Sequence, residues 1–183
     1  MSRVKELIES YGRLITVPWR KDVAPEQRVI FFVYDENEER TVRAKVDELE
    51  LITRKAGHQW ASYDLSDSFA IWLASQRYAK SYFQQPHKLF PLLPRFLDFI
   101  ATEFKSFLVH NDADENTVVS LLGTGSLFGF LKIRELVDKL APMVPGRLLV
   151  LFPGICENNN YRLLNAYDGW NYRAIPITEG KDF

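Results

Sequence analysis

Two aspartates and one glycine turn give this sequence the residue types for metal or phosphate chemistry. Asp35 closes the run RVIFFVYD, Asp64 stands near the end of HQWASYDL, and Gly123, Thr124, Gly125 and Ser126 follow TVVSLL. Carboxylates are hard oxygen ligands of the kind a divalent cation takes. A glycine turn that opens a helix presents backbone N–H groups to a phosphate. The spacing tempers both readings. Glycines at 123, 125 and 129 fit neither the dinucleotide fingerprint nor the phosphate loop, which ends in Gly-Lys-Ser/Thr. A plain tight turn is the favoured reading, with anion binding by Gly123, Gly125 and Ser126 as the alternative. For Asp35 and Asp64, capping of the following helix is favoured over metal binding.

A second polar cluster interrupts two greasy runs in LLVLFPGICENNNYRLL, from Leu148 to Leu164. Pro153-Gly154 has the composition of a type II turn, with glycine at the position that needs positive φ. Glu157, Asn158, Asn159 and Asn160 follow, and asparagine tolerates the left-handed conformation while bonding its own backbone. A self-satisfied loop is therefore favoured over a ligand site. Cys156 within it is a nucleophile only if a base lies beside it, and the three histidines are scattered at 58, 87 and 110. The histidines lack metal-ligand spacing, and one cysteine excludes an internal disulfide and a cysteine-based zinc site. No catalytic residue, metal or cofactor is assigned. Downstream, Arg162, Tyr167, Trp170, Tyr172 and Arg173 form an aromatic and arginine cluster of the kind enriched at protein interfaces. Strand alternation sends half of these side chains inward.

The elements that carry these residues follow from hydrophobic period. A helix is expected over 2–14, with Val4, Leu7, Ile8 and Tyr11 on one face. RVIFFVYD reads as a buried strand. A helix over 37–55, striped by Val42, Val46, Leu49 and Ile52, is capped by Asp35 or Asn37. HQWASYDL, TVVSLLG and RLLVLFPG are the second, third and fourth strands, and a helix is expected from Ser126 to Leu140. Residues 67–110 read as a helical insertion punctuated by Pro86, Pro91 and Pro94. Around Asp168-Gly169 the chain has the signal of an antiparallel hairpin. The expected fold is thus a single α/β domain over 1–183. It is a Rossmann-like, mostly parallel sheet flanked by helices, with a C-terminal antiparallel edge hairpin. Asp35, Asp64, the Gly123 turn and the Pro153–Asn160 cluster then converge on the carboxyl edge of the sheet, where ligands of such sheets bind.

With 23 basic and 24 acidic residues, the net charge of -1 argues against a surface built throughout for nucleic acid, although a local basic patch is compatible with it. No run of 18 apolar residues marks a membrane span, and the N-terminus lacks the apolar stretch of a signal peptide. One cysteine suits a reducing cytoplasm.

Several stretches resemble one family. LLGTGSLFGFL, VPGRLLVLFPG and NNNYRLLNAYDGWNYRAIPI are similar to segments of the BrxB family of bacterial BREX phage-resistance systems. VIFFVYDENEERTVRAKVDEL and SYDLSDSFAIWL resemble that family's first two strands and the helices after them, so the similarity spans residues 29–177. One stretch departs: KIRELVDKL lacks the histidine and asparagines that family members carry after the glycine turn. The resemblance implies an intracellular component of a multi-protein defence system, with no established catalytic activity. The lack of a phosphate loop, a metal cluster or a nucleophile–base motif favours a non-catalytic assembly or adaptor subunit. Its implied partners are the PglZ-like protein or the large ATPase of such systems. The alternative is a nucleotide- or phosphate-binding protein that uses the carboxyl edge.

Overall fold

The computed structural model describes residues 3–179; the expected start of the first helix at residue 2 lies outside them. The chain runs α1 (Arg3–Ile15), β1 (Val29–Tyr34), α2 (Glu39–Arg43), α3 (Val46–Lys55), β2 (Gln59–Asp64), α4 (Ser68–Ala74), α5 (Ala79–Gln84) and α6 (Leu93–His110). It continues through β3 (Thr117–Leu122), α7 (Ile133–Leu140), β4 (Arg147–Glu157), β5 (Asn160–Leu163), β6 (Trp170–Asn171) and β7 (Ile175–Ile177). Five strands lie side by side in the order β2-β3-β4-β1-β7, every neighbouring pair parallel. Helices cover both faces. The result is a mixed α/β fold whose sheet is mostly parallel in the core and antiparallel at one edge.

Burial on both faces explains the strand sequences. Every residue of VIFFVY in β1 and TVVSLL in β3 is buried, as expected of interior parallel strands. Alternation sorts β1: Val29, Phe31 and Val33 face one core, Ile30, Phe32 and Tyr34 the other. The first core is closed by α4, α6 and α7, the second by α1 and α3. β2 is an edge strand, and QWASYD is correspondingly less apolar. α1 and α3 are pinned to each other where Tyr11 meets Thr53; Thr53 Oγ1 donates to the Leu49 carbonyl at 2.8 Å, which leaves the Tyr11 hydroxyl as donor to Thr53.

The insertion between β2 and β3 docks on the sheet. Pro94 sits in the first turn of α6, where a missing N–H costs nothing, and Phe96, Ile100, Phe104 and Leu108 repeat at helical spacing into the first core.

Four expectations are corrected. Pro153 and Gly154 make no turn; both lie within β4. A Cβ on Gly154 would stand 2.1 Å from the Arg162 carbonyl oxygen, so glycine is required there by the close passage of β5. The tight turn is Asn158-Asn159, with φ of 51° and 62°, between the paired residues Glu157 and Asn160. Two positive φ values in a two-residue loop suit the right-handed twist of a hairpin. β5 and β6 do pair antiparallel on either side of Asp168-Gly169, but through a loop longer than a two-residue turn, and the IPI run leaves that hairpin to form β7, parallel to β1. The expected helix over 37–55 is two helices broken at Ala44-Lys45, and the one expected from Ser126 starts at Ile133.

No helix among the described residues is long and apolar enough to cross a membrane.

Candidate functional site

The carboxyl edge collects Tyr34 at the end of β1 with Asp35 just after it, Asp64 at the end of β2, and Gly123 to Ser126 after β3. One guanidinium organises it. Arg43, on α2, donates through Nε to Glu39 Oε1 at 2.8 Å and through Nη1 to Asp64 Oδ2 at 3.0 Å, and its Nη2 reaches Ser66 Oγ. Asp64 Oδ1 also accepts from the Ser66 amide at 2.9 Å and the Ser66 hydroxyl at 2.6 Å. The Tyr34 hydroxyl donates to Glu39 Oε2. The chain Tyr34–Glu39–Arg43–Asp64–Ser66 thus bridges β1 and β2, which β4 and β3 separate in the sheet.

The protonation states follow from these contacts. Burial alone would raise the Asp64 pKa, but hydrogen bonds from Arg43 and Ser66 and the Arg43 charge outweigh it and hold it at about 2. The Arg43 pKa is raised, chiefly by the hydrogen bond to Asp64. Burial, then the hydrogen bond to Glu39, pushes the Tyr34 hydroxyl far above its ordinary value, so Tyr34 remains a donor. Asp35 is held low by the Asn37 amide at 2.9 Å and the Asn37 side chain at 2.8 Å, as the cap of the short turn Glu36–Glu38.

A cavity of about 210 Å³ opens beside this network, lined by Glu36, Glu39, Arg43, Ser66, Gly123, Gly125, Ser126, Pro153 and Leu164. Gly123, Gly125 and Ser126 are therefore brought together with Arg43. Asp64 stands behind Arg43, and Asp35 faces a different hollow, lined by Arg3, Cys156 and Glu157 among others. Gly123 has φ +71°, and a Cβ there would stand 2.4 Å from Ser66 Oγ and 2.8 Å from Asp64 Oδ1. Ser126 Oγ lies 2.7 Å from the Gly123 carbonyl oxygen, and Thr124 donates to the Leu151 carbonyl at 2.7 Å. The turn after Gly123 is a single 3-10 turn, Thr124–Leu127. The helical N-terminus that would aim several N–H groups at a phosphate is not formed there.

Glu39, Arg43, Tyr34 and Ser66 were not singled out from sequence. The signal available was Glu39 and Arg43, four apart on a helix.

The second polar cluster sits on the β4–β5 ribbon. Asn158 and Asn159 are its turn, and Glu157 and Arg162 approach to 3.9 Å on its exposed side. Tyr172 is buried against Phe31, and Trp170 is half-buried, stacked on Tyr161 with centroids 5.3 Å apart; Arg173 is exposed. The Tyr172 side chain thus belongs to the core rather than to a surface. Beside Trp170 lies the larger concavity, about 680 Å³, between the 128–133 and 163–170 segments. Phe128 and Tyr167, both exposed, line it with Leu131, Ile133 and Leu163. His58 stacks on Trp19 at 3.8 Å near the start of β2, the end of the sheet opposite Cys156. Among the described residues no group of three His, Cys, Asp or Glu is placed to hold a metal.

No protein-family model, curated protein or solved structure matches this chain.

Proposed function

We propose that this chain is a non-catalytic assembly subunit of a BREX-type anti-phage defence complex, a Rossmann-like fold used as a scaffold in the cytoplasm. The family resemblance over residues 29–177 supplies the system, and the 680 Å³ groove carries the docking role. Its rim exposes Tyr167 fully and Phe128 by 44%, and a large aromatic surface beside a partly buried Trp170 is what protein interfaces use. At the carboxyl edge, meanwhile, Arg43 and Asp64 satisfy each other, which suits a structural edge. The partner is the PglZ-like protein or the large ATPase of the system.

The test is affinity purification of the tagged chain from its own bacterium at natural expression level, beside Phe128→Ala/Tyr167→Ala. Recovery of either partner in near-equal amount by the wild type, and its loss with the double variant, is expected. Recovery of the chain alone overturns the reading. Trp170→Ala is the poorer probe, because Trp170 also packs on Phe31, Phe152 and Tyr161.

One observation favours a second reading, a nucleotide or phosphate binder. The 210 Å³ cavity lies at the carboxyl edge and is lined by Arg43, Ser66 and Ser126. Titration calorimetry with ATP, GTP and Mg²⁺ decides it: no heat and no thermal shift at millimolar ligand removes it.

A further inference from the structure

The near-neutral net charge conceals an uneven distribution. Between Asp67 and Asp98 there is no Asp or Glu, while Arg77, Lys80, Lys88 and Arg95 all fall inside that interval. All four cations are exposed, and among the described residues none makes an ion pair or a hydrogen bond. Three aromatic rings are interleaved with them and point outward: Tyr78 is 60% exposed, Phe83 71% and Phe90 64%. These rings are not displaced core residues. The same segment supplies its own inward side chains, with Leu89 buried and Tyr82, Leu92 and Leu93 packed against the first core. Physically, α5 rests on the Pro86–Leu92 turn, and that turn rests on α6, so the cations and rings are presented by a packed substructure. The Arg77 guanidinium already lies over the Tyr78 ring, 5.4 Å from its centroid.

We propose that the 77–95 segment is a binding surface for single-stranded nucleic acid: its unpaired cations take the phosphates, and Tyr78, Phe83 and Phe90 stack on unpaired bases. Cations tracking a backbone beside exposed aromatic platforms are the general means of holding single strands without sequence preference. A duplex would engage only the cations, because its bases are already stacked on one another. A membrane surface calls for a longer amphipathic helix with one continuous apolar face, and α5 is six residues long. A docked protein would have to desolvate Lys80 and Lys88, and lysine is depleted at protein interfaces. The surface shares no residue with the groove assigned to assembly, so it stands or falls separately.

Fluorescence anisotropy with a labelled oligothymidylate, a duplex of equal length and phosphatidylserine vesicles tests the assignment. Four phosphate contacts at about 0.7 counterion each predict a log–log salt slope approaching about -3 for the single strand. Tyr78→Ala/Phe83→Ala/Phe90→Ala should weaken single-strand binding on the order of tenfold or more. Arg77→Gln/Lys80→Gln/Lys88→Gln/Arg95→Gln should weaken it and flatten the salt slope. All seven side chains are exposed, so circular dichroism and the thermal midpoint should be unchanged in both variants. Absence of binding at 50 mM salt overturns the proposal. So does equal binding of duplex with no effect of the ring variant, or binding to vesicles alone.

Discussion

Asp64 carries its charge against the cost of burial because Arg43 and Ser66 bond the charged form. Its folded pKa, about 2, lies below the ordinary value of about 3.9, so between those limits the unfolded chain binds more protons. The stability it contributes is complete above about pH 4 and is lost as pH falls through about 2. The group is well exposed, and solvent screening reduces the contribution to about 1 kcal/mol. Urea midpoints across that window should therefore fall less steeply for Asp64→Asn than for the wild type; identical acid limbs would show that the pair is not held in solution. Gly123→Ala meets two obstacles, a left-handed φ of +71° and the Asp64–Ser66 contact behind it. We expect a loss of about 1–3 kcal/mol on chemical denaturation. None of this was legible in the sequence, where Asp64 and Gly123 are 59 positions apart and nothing marks Arg43 as their neighbour.

Elements were legible where burial alone decides them. RVIFFVYD and TVVSLL are strands because a short apolar run buried on both faces has few other uses, and Phe96 to Leu108 keep a helical period long enough to name. What failed depended on partners distant in sequence. Pro153-Gly154 looked like a breaker because the strand that needs a glycine opposite it, β5, cannot be read from the local composition. The stripe Val42, Val46, Leu49, Ile52 continues across Ala44-Lys45 and so hides the break between α2 and α3. Gly129, with φ +82°, ends the helical reading after Ser126. The IPI run continues the strand-like composition after Asp168-Gly169, which hides its separate pairing with β1; Pro176 fits that edge strand, where one N–H is dispensable. The Asn158-Asn159 turn gives a sharp test at this scale. Asn159→Gly should be tolerated, whereas Asn159→Val places a β-branched residue at φ 62° and should cost about 1–3 kcal/mol in denaturation experiments.

The whole molecule has two cores that share one sheet. Phe104 lies in one and Leu7 in the other, both fully or almost fully buried, and β1, β3 and β4 contribute side chains to each. Unfolding should therefore be a single transition. Phe104→Ala and Leu7→Ala, expected to cost about 3–5 and 2–5 kcal/mol, should each lower the urea midpoint without splitting it or changing its slope. Two separated transitions in either variant would mean that the faces melt independently.

β4 belongs to two pairings at once. Its first half is flanked by β1 and β3 in the parallel sheet, and its second half is the inner strand of the ribbon with β5. A load applied to the ribbon is therefore applied along the axis of the sheet's central strand. Hydrogen bonds to both neighbours lie across that pull and must yield together rather than one after another. The ribbon is in this sense a handle continuous with the central strand of the sheet.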